Sequence, residues 1–367
     1  MTMRNLGLSI YPDHSNYDDN VQYLELGHKY GFKRIFMSML EVQGSVEETK
    51  EKYKKIISMG NRLGYQTFLD VSPRIFKDLK IDYHDLSFFH DIGATGLRLD
   101  QAFDGATEAL MSYNPYNLII ELNMSNNVDY LNNIISYQAN TPYIYGCHNF
   151  YPQKGTALPY DFFVECSKRF KKFNIHTAAF VTSQVGKMGP WNVTDGLPTL
   201  EEDRYLPIQV QAKKLWATGL IDDVIIGNAY GNAYASEEEL KSLSEVNPYQ
   251  LVLHVNYVPK INDIEKTIVE KPQHFRRGDI NSIVIRSTMP RVTYKDIPNP
   301  AHDNEQEFKR GDVLIGNDGF GIYKNELQIV LKPHMESRKN KVGEISKNEL
   351  FLLDFIKPWT KFKLSSN

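Results

Sequence analysis

Two carboxylates stand in apolar surroundings along this chain. Glu121 sits in the run NLIIELN, and Asp100 closes the run GLRLD. A glutamate flanked by apolar neighbours suits no surface face, and a buried glutamate needs a partner or a task. Arg98 lies two residues before Asp100, so in a strand the two side chains share one side, where they can pair or grip an anion together. The plain alternative for Arg98 and Asp100 is a structural ion pair. Paired carboxylates on neighbouring strands suit cleavage of a glycosidic bond, one donating a proton to the leaving oxygen and the other stabilising or attacking the oxocarbenium-like centre. Asp100 and Glu121 are therefore the expected catalytic pair, projecting from adjoining strands into a shared cavity. Separation and burial assign acid and partner, and the sequence leaves both open.

Positioning such a pair requires a scaffold, and the chain supplies a repeating one. Short apolar runs begin near Leu6, Lys33, Gln66, Leu97, Leu118, Tyr143, His176 and Asp223, alternating with stretches of helical period. Their spacing is close to the ~30 residues of a βαβ unit. No Gly-rich phosphate turn follows the first run, which continues as YPDHSNYDDN, so a closed (β/α)8 TIM barrel is preferred over an open doubly wound α/β sheet. Barrel enzymes carry their reacting groups at the C-terminal strand ends. That rule selects Asp13, Glu41, Asp70, Arg98 with Asp100, Glu121 with Asn123, His148 with Asn149 and Tyr151, Thr182 with Ser183, and Asn228. Asp13 and Asp70 could instead cap the following helices, and His148 could be a hydrogen-bonding residue. Asn149, Tyr151 and Lys154 offer donors and an aromatic face to a hydroxylated, anionic ligand.

Other chemistries find less support. Neither an H-x-H nor an H-E-x-x-H spacing occurs, so no metal is expected. No G-x-S-x-G elbow is present. A barrel aldolase or isomerase acting on a sugar phosphate would want an interior Schiff-base lysine or a metal, yet Lys33 begins its strand and Lys154 follows one.

With 367 residues the chain exceeds the about 250 of a barrel. Residues 1–247 are read as the barrel, and 248–367 as a smaller β-rich domain built on LVLHVNYV, NSIVIRST, GDVLIGN and ELQIVLK, with one helix from Asn348 to Ile356. The helices 20–30 and 46–63 stop before Gly31 and Gly64. A long Gly-, Pro- and Trp-containing insertion, Ser183 to Arg204, reads as a lid or a packed surface loop. The net charge of −3, with basic and acidic residues interspersed, argues against nucleic acid or an anionic membrane. No apolar run nears the ~20 residues of a membrane span. Without an export signal and with only Cys147 and Cys166, read as reduced and structural, the expected location is cytoplasmic.

Taken together, LGLSIYPD, FLDVSP, GLRLD, IIELNMSN, CHNFYP, GLPTLE, VIIGNAYG, RRGDINSIVIRS, KRGDVLIGN and NELQI resemble the bacterial 6-phospho-N-acetylmuramidase family over essentially the whole chain. CHNFYP and GLPTLE are the distinctive runs, and NELQI carries Asn325 where a GELQI-type run is usual. The resemblance implies a TIM barrel followed by a cyclophilin-like β domain. It also implies hydrolysis of the disaccharide MurNAc 6-phosphate–GlcNAc to MurNAc 6-phosphate and GlcNAc during cell-wall recycling, and no cofactor is expected. The phosphate would need cationic donors, for which Arg98, Lys154, His148, Arg204, Arg276 and Arg277 are candidates. A non-catalytic sugar-phosphate-binding protein is the rival reading, and a homodimer stays open.

Overall fold

The structure, a computed structural model, describes residues 3–42, 44–193, 195–229 and 233–366, the side chains of 233–235 apart. Thr194 of the insertion and Tyr230 and Gly231 of VIIGNAYG lie outside the described residues. Two compact units divide the chain, Met1–Val246 and Asn247–Asn367.

The first unit is a closed barrel of eight parallel strands in sequence order: β1 (Leu6–Ile10), β2 (Arg34–Ser38), β3 (Gln66–Val71), β4 (Gly96–Leu99), β5 (Ile119–Asn123), β6 (Ile144–Cys147), β7 (His176–Val181) and β8 (Asp223–Ile226). β8 closes on β1 through Leu6↔Val224 and Leu8↔Ile226. Each expected strand falls within a residue of its predicted start, because a continuous apolar run is what a strand covered on both faces requires. The helix Tyr17–Lys29 begins at Asn16, whose side chain accepts from the Asp19 amide. The helix Val46–Arg62 carries a Ser45–Glu48 capping box. Gly31 and Gly64 both take φ +79° just beyond these helices, where a side chain would be strained.

The second unit holds a seven-stranded sheet of its own: β9 (Leu251–Tyr257), β10 (His274–Phe275), β11 (Val284–Ser287), β12 (Asp312–Gly316), β13 (Leu327–Val330), β14 (Lys339–Ile345) and β15 (Lys361–Ser365), in the order β10-β15-β9-β14-β12-β13-β11. Only the β15–β9 pairing is parallel. Its core gathers Leu253, Val255, Ile285, Val313, Ile329 and Val342. The helix expected over 348–356 is a 3-10 segment, Lys347–Phe355, a tighter winding than its apolar pattern alone distinguishes. Asn325 takes φ +64°, so the position demands a left-handed residue. Its side chain also holds the Tyr294 and Ile297 carbonyls, which glycine would not do.

Candidate active site at the barrel mouth

Period two along β4 brings Arg98 and Asp100 to the same side, as their spacing predicts. The Arg98 Nη1 donates to Asp70 Oδ1 at 2.5 Å and to Asp100 Oδ1 at 3.3 Å, while Nη2 donates to the Asn149 side chain. Asp70 is the register neighbour of Arg98 across β3 and β4, which explains the contact. Its carboxyl is almost fully buried, and burial, with Asp100 and Glu121 nearby, pushes it up to about 7 against the pull of Arg98. The Asp100 side chain keeps 31% of its exposure. Asn123 fixes the loop above by donating to the Asp100 carbonyl at 3.1 Å, and the Asn149 amide donates to Ser125 Oγ at 2.7 Å. Tyr151 stands half-buried nearby, its hydroxyl pushed up by burial.

Glu121, the register partner of Arg98, makes its hydrogen bond in a second cluster rather than with Asp100. Its carboxylate is completely buried and accepts from Arg34 Nη2. Arg34 in turn reaches Asp223 at 3.0 Å, lies 4.0 Å from the Phe68 ring, and shares Asp223 with His176. Arg34, His176 and Asp223 are first residues of their strands, so Glu121 is drawn toward the N-terminal half of the barrel, whereas Asp100 stands just past the end of β4.

His148 is likewise corrected as a ligand for substrate. Cys147 lies beside the interior charges, so the next side chain along the strand turns outward. His148 packs on Phe163 and bonds Ser125 and Ser167, and burial followed by the Arg98 charge pulls it down to about 3, leaving it neutral. Arg204 is also spent elsewhere. It is 1% exposed, and its guanidinium holds Glu201 together with the carbonyls of Tyr151, Gln153, Asp195 and Gly196. Thr182 and Asn228 are buried latches of the same insertion: Thr182 Oγ1 accepts from Leu197 N, and Asn228 holds Ser183 and Gly186. Arg276 holds the Ile356 carbonyl, and Arg277 is paired with Asp279. Lys154 remains outward, its ammonium 5.7 Å from the Tyr205 ring.

The insertion is thus a packed segment with an outer tip. Leu197, Thr199 and Leu200 are buried, while Trp191 is 44% exposed, 6.0 Å from Phe150. Pro190 closes against Tyr11, Asp13, His14, Ser38 and Glu41, leaving no room for a water molecule among them. Asp13 and Glu41 open onto an adjoining cleft of about 640 Å³. Asp13 is no helix cap there; it bonds Lys52 and the Tyr53 hydroxyl. Glu41 meets His14 at 2.7 Å. Sequence reasoning missed Arg34, His14, Lys52 and Arg74. Only Arg34 carried a signal, as a charge opening the apolar run RIFMS. Among the described residues no group of three His, Cys, Asp or Glu side chains is arranged to hold a metal, and no helix is long and apolar enough to cross a membrane.

Family models described as 6-phospho-N-acetylmuramidase, N-terminal and C-terminal, match residues 6–245 and 251–365. The chain belongs to the 6-phospho-N-acetylmuramidase family. Membership spans both units and is consistent with glycosidase activity. Among solved structures, an uncharacterized B. cereus protein is similar at 49% identity and a TM-score of 0.91, covering 99% of this chain and 100% of that one. A conserved Enterococcus faecalis protein of unknown function matches at 22% identity and a TM-score of 0.70, over 100% of this chain and 97% of that one, which shows a shared fold. A search of curated proteins finds no match. The Arg98 cluster brings together two carboxylates of unequal burial at the C-terminal ends of β3 and β4.

Proposed function

We propose that the chain hydrolyses MurNAc 6-phosphate–GlcNAc to MurNAc 6-phosphate and GlcNAc, as a cytoplasmic step in recycling cell-wall sugars. The observation that carries this reading is one guanidinium, Arg98, gripping a buried carboxyl raised to about 7 and a partly open one. Asp70, whose carboxyl burial raises to about 7, serves as the acid toward the leaving oxygen. Asp100, partly open to solvent and 3.3 Å from the Arg98 guanidinium, attacks or stabilises the anomeric carbon. Their two Arg98-bound oxygens lie no more than about 6 Å apart, which favours the short separation of retaining enzymes over the 6.5–9.5 Å of inverting ones. Glu121 supports the site from beneath rather than touching substrate. Family membership supports the choice of substrate.

The test is to incubate purified protein with the disaccharide phosphate and follow free GlcNAc, alongside the dephosphorylated disaccharide. Release of GlcNAc, far slower from the dephosphorylated compound, is expected. Tight binding without release would replace this reading with that of a sugar-phosphate-binding protein.

A further inference from the structure

We propose that the cleft over β1 to β3 receives the uncharged N-acetylhexosamine of the substrate, and so fixes which way round the disaccharide phosphate lies. This rests on the hydrolase reading above. The cleft, about 640 Å³, is large enough for a sugar ring and is bounded by Asp13, His14, Glu41, Lys52, Arg74 and Asp78. Its charges decide the occupant. Lys52 is committed to Asp13 and His14 to Glu41, and three carboxylates face two full cations. A phosphate dianion, with the lactyl carboxylate of a muramic acid beside it, would meet a surplus of negative charge there. A neutral pyranose would meet alternating acceptors and donors matched to its hydroxyl groups. Arg74 has donors to spare: its side chain is 67% exposed, it donates to the Leu40 carbonyl, and its Nε stands 3.9 Å from Asp78. Val42 adds an apolar wall for an acetyl methyl.

The cleft shares Asp13, His14 and Glu41 with a close-packed contact that includes Tyr11 and Ser38, and Ser38 is the register partner of Asp70. With the neutral sugar on this side of the barrel, its linkage oxygen would face the strand that carries Asp70, on the leaving-group side where an acid is needed. The anionic sugar then lies beyond Arg98, toward Asn149, Tyr151 and Lys154.

The test titrates GlcNAc and MurNAc 6-phosphate separately into wild-type protein, Arg74→Ala and Glu41→Ala, with thermal melts to check folding and a hydrolysis assay on the wild type. Expected is a Kd for GlcNAc raised about tenfold in either variant, with MurNAc 6-phosphate changed by less than about twofold. Weakened MurNAc 6-phosphate binding with GlcNAc unchanged would reverse the orientation and overturn the inference. Unchanged binding of both sugars by both variants would overturn it as well. In either case hydrolysis by the wild type keeps the proposed function standing; a wild type that neither hydrolyses nor binds either sugar removes both.

Discussion

Burial raises the Asp70 carboxyl to about 7, and Asp100, with a third of its side chain open, shares the guanidinium that offsets part of that rise. An acid of that strength gives kcat/KM a fall as pH climbs above about 7, approaching tenfold per unit, and a pH–rate profile of Asp70→Asn should be low and lack that limb. The same shift acts on stability. The folded carboxyl holds its proton to higher pH than the unfolded one, so folding loses stability as pH rises between about 4 and 7 and is flat beyond. Urea titrations at pH 5 and pH 8 should show this loss in the wild type and its absence in Asp70→Asn. Arg98 and Asp100 were legible from a two-residue spacing. The outward turn of His148 lay in the same alternation, since 145, 147 and 149 share one face, but the run CHNFYP hides it among residues that all look functional.

Strands and loops set what those residues can reach. The Glu121 carboxylate closes a buried chain with Arg34 and Asp223, so Glu121→Gln leaves a buried guanidinium partly unpaired and should cost about 3–5 kcal/mol, read as a lower urea midpoint. Apolar context correctly marked Glu121 as interior. Whether an interior acid meets the mouth or the base of a barrel depends on a partner from a distant strand, here 87 residues away, which periodicity does not report. Arg204 ties the insertion's carbonyls together, and Arg204→Ala should lower Tm by roughly 5–10 °C while freeing the segment around Pro190 and Trp191. A Tm within a degree of wild type would show that the packing of Leu197 and Leu200 suffices without it.

Among the described residues each unit has a main hydrophobic core, one on residues such as Leu8, Phe36 and Ile225 and the other on Val255, Val313 and Ile329. Fragments 1–246 and 247–367 are each expected to unfold cooperatively when made alone, by circular dichroism against urea. Eight recurring apolar runs made the barrel legible, because each needs its neighbour to satisfy its backbone. The second unit was legible as strands but not as an order, since its neighbours β15 and β9 are separated by most of the unit. Hydrolysis by this barrel requires Asp100 to meet the substrate. Turnover of MurNAc 6-phosphate–GlcNAc by Asp100→Asn is predicted to fall by at least roughly a thousandfold with an unchanged melting curve; wild-type turnover by a folded Asp100→Asn would contradict it.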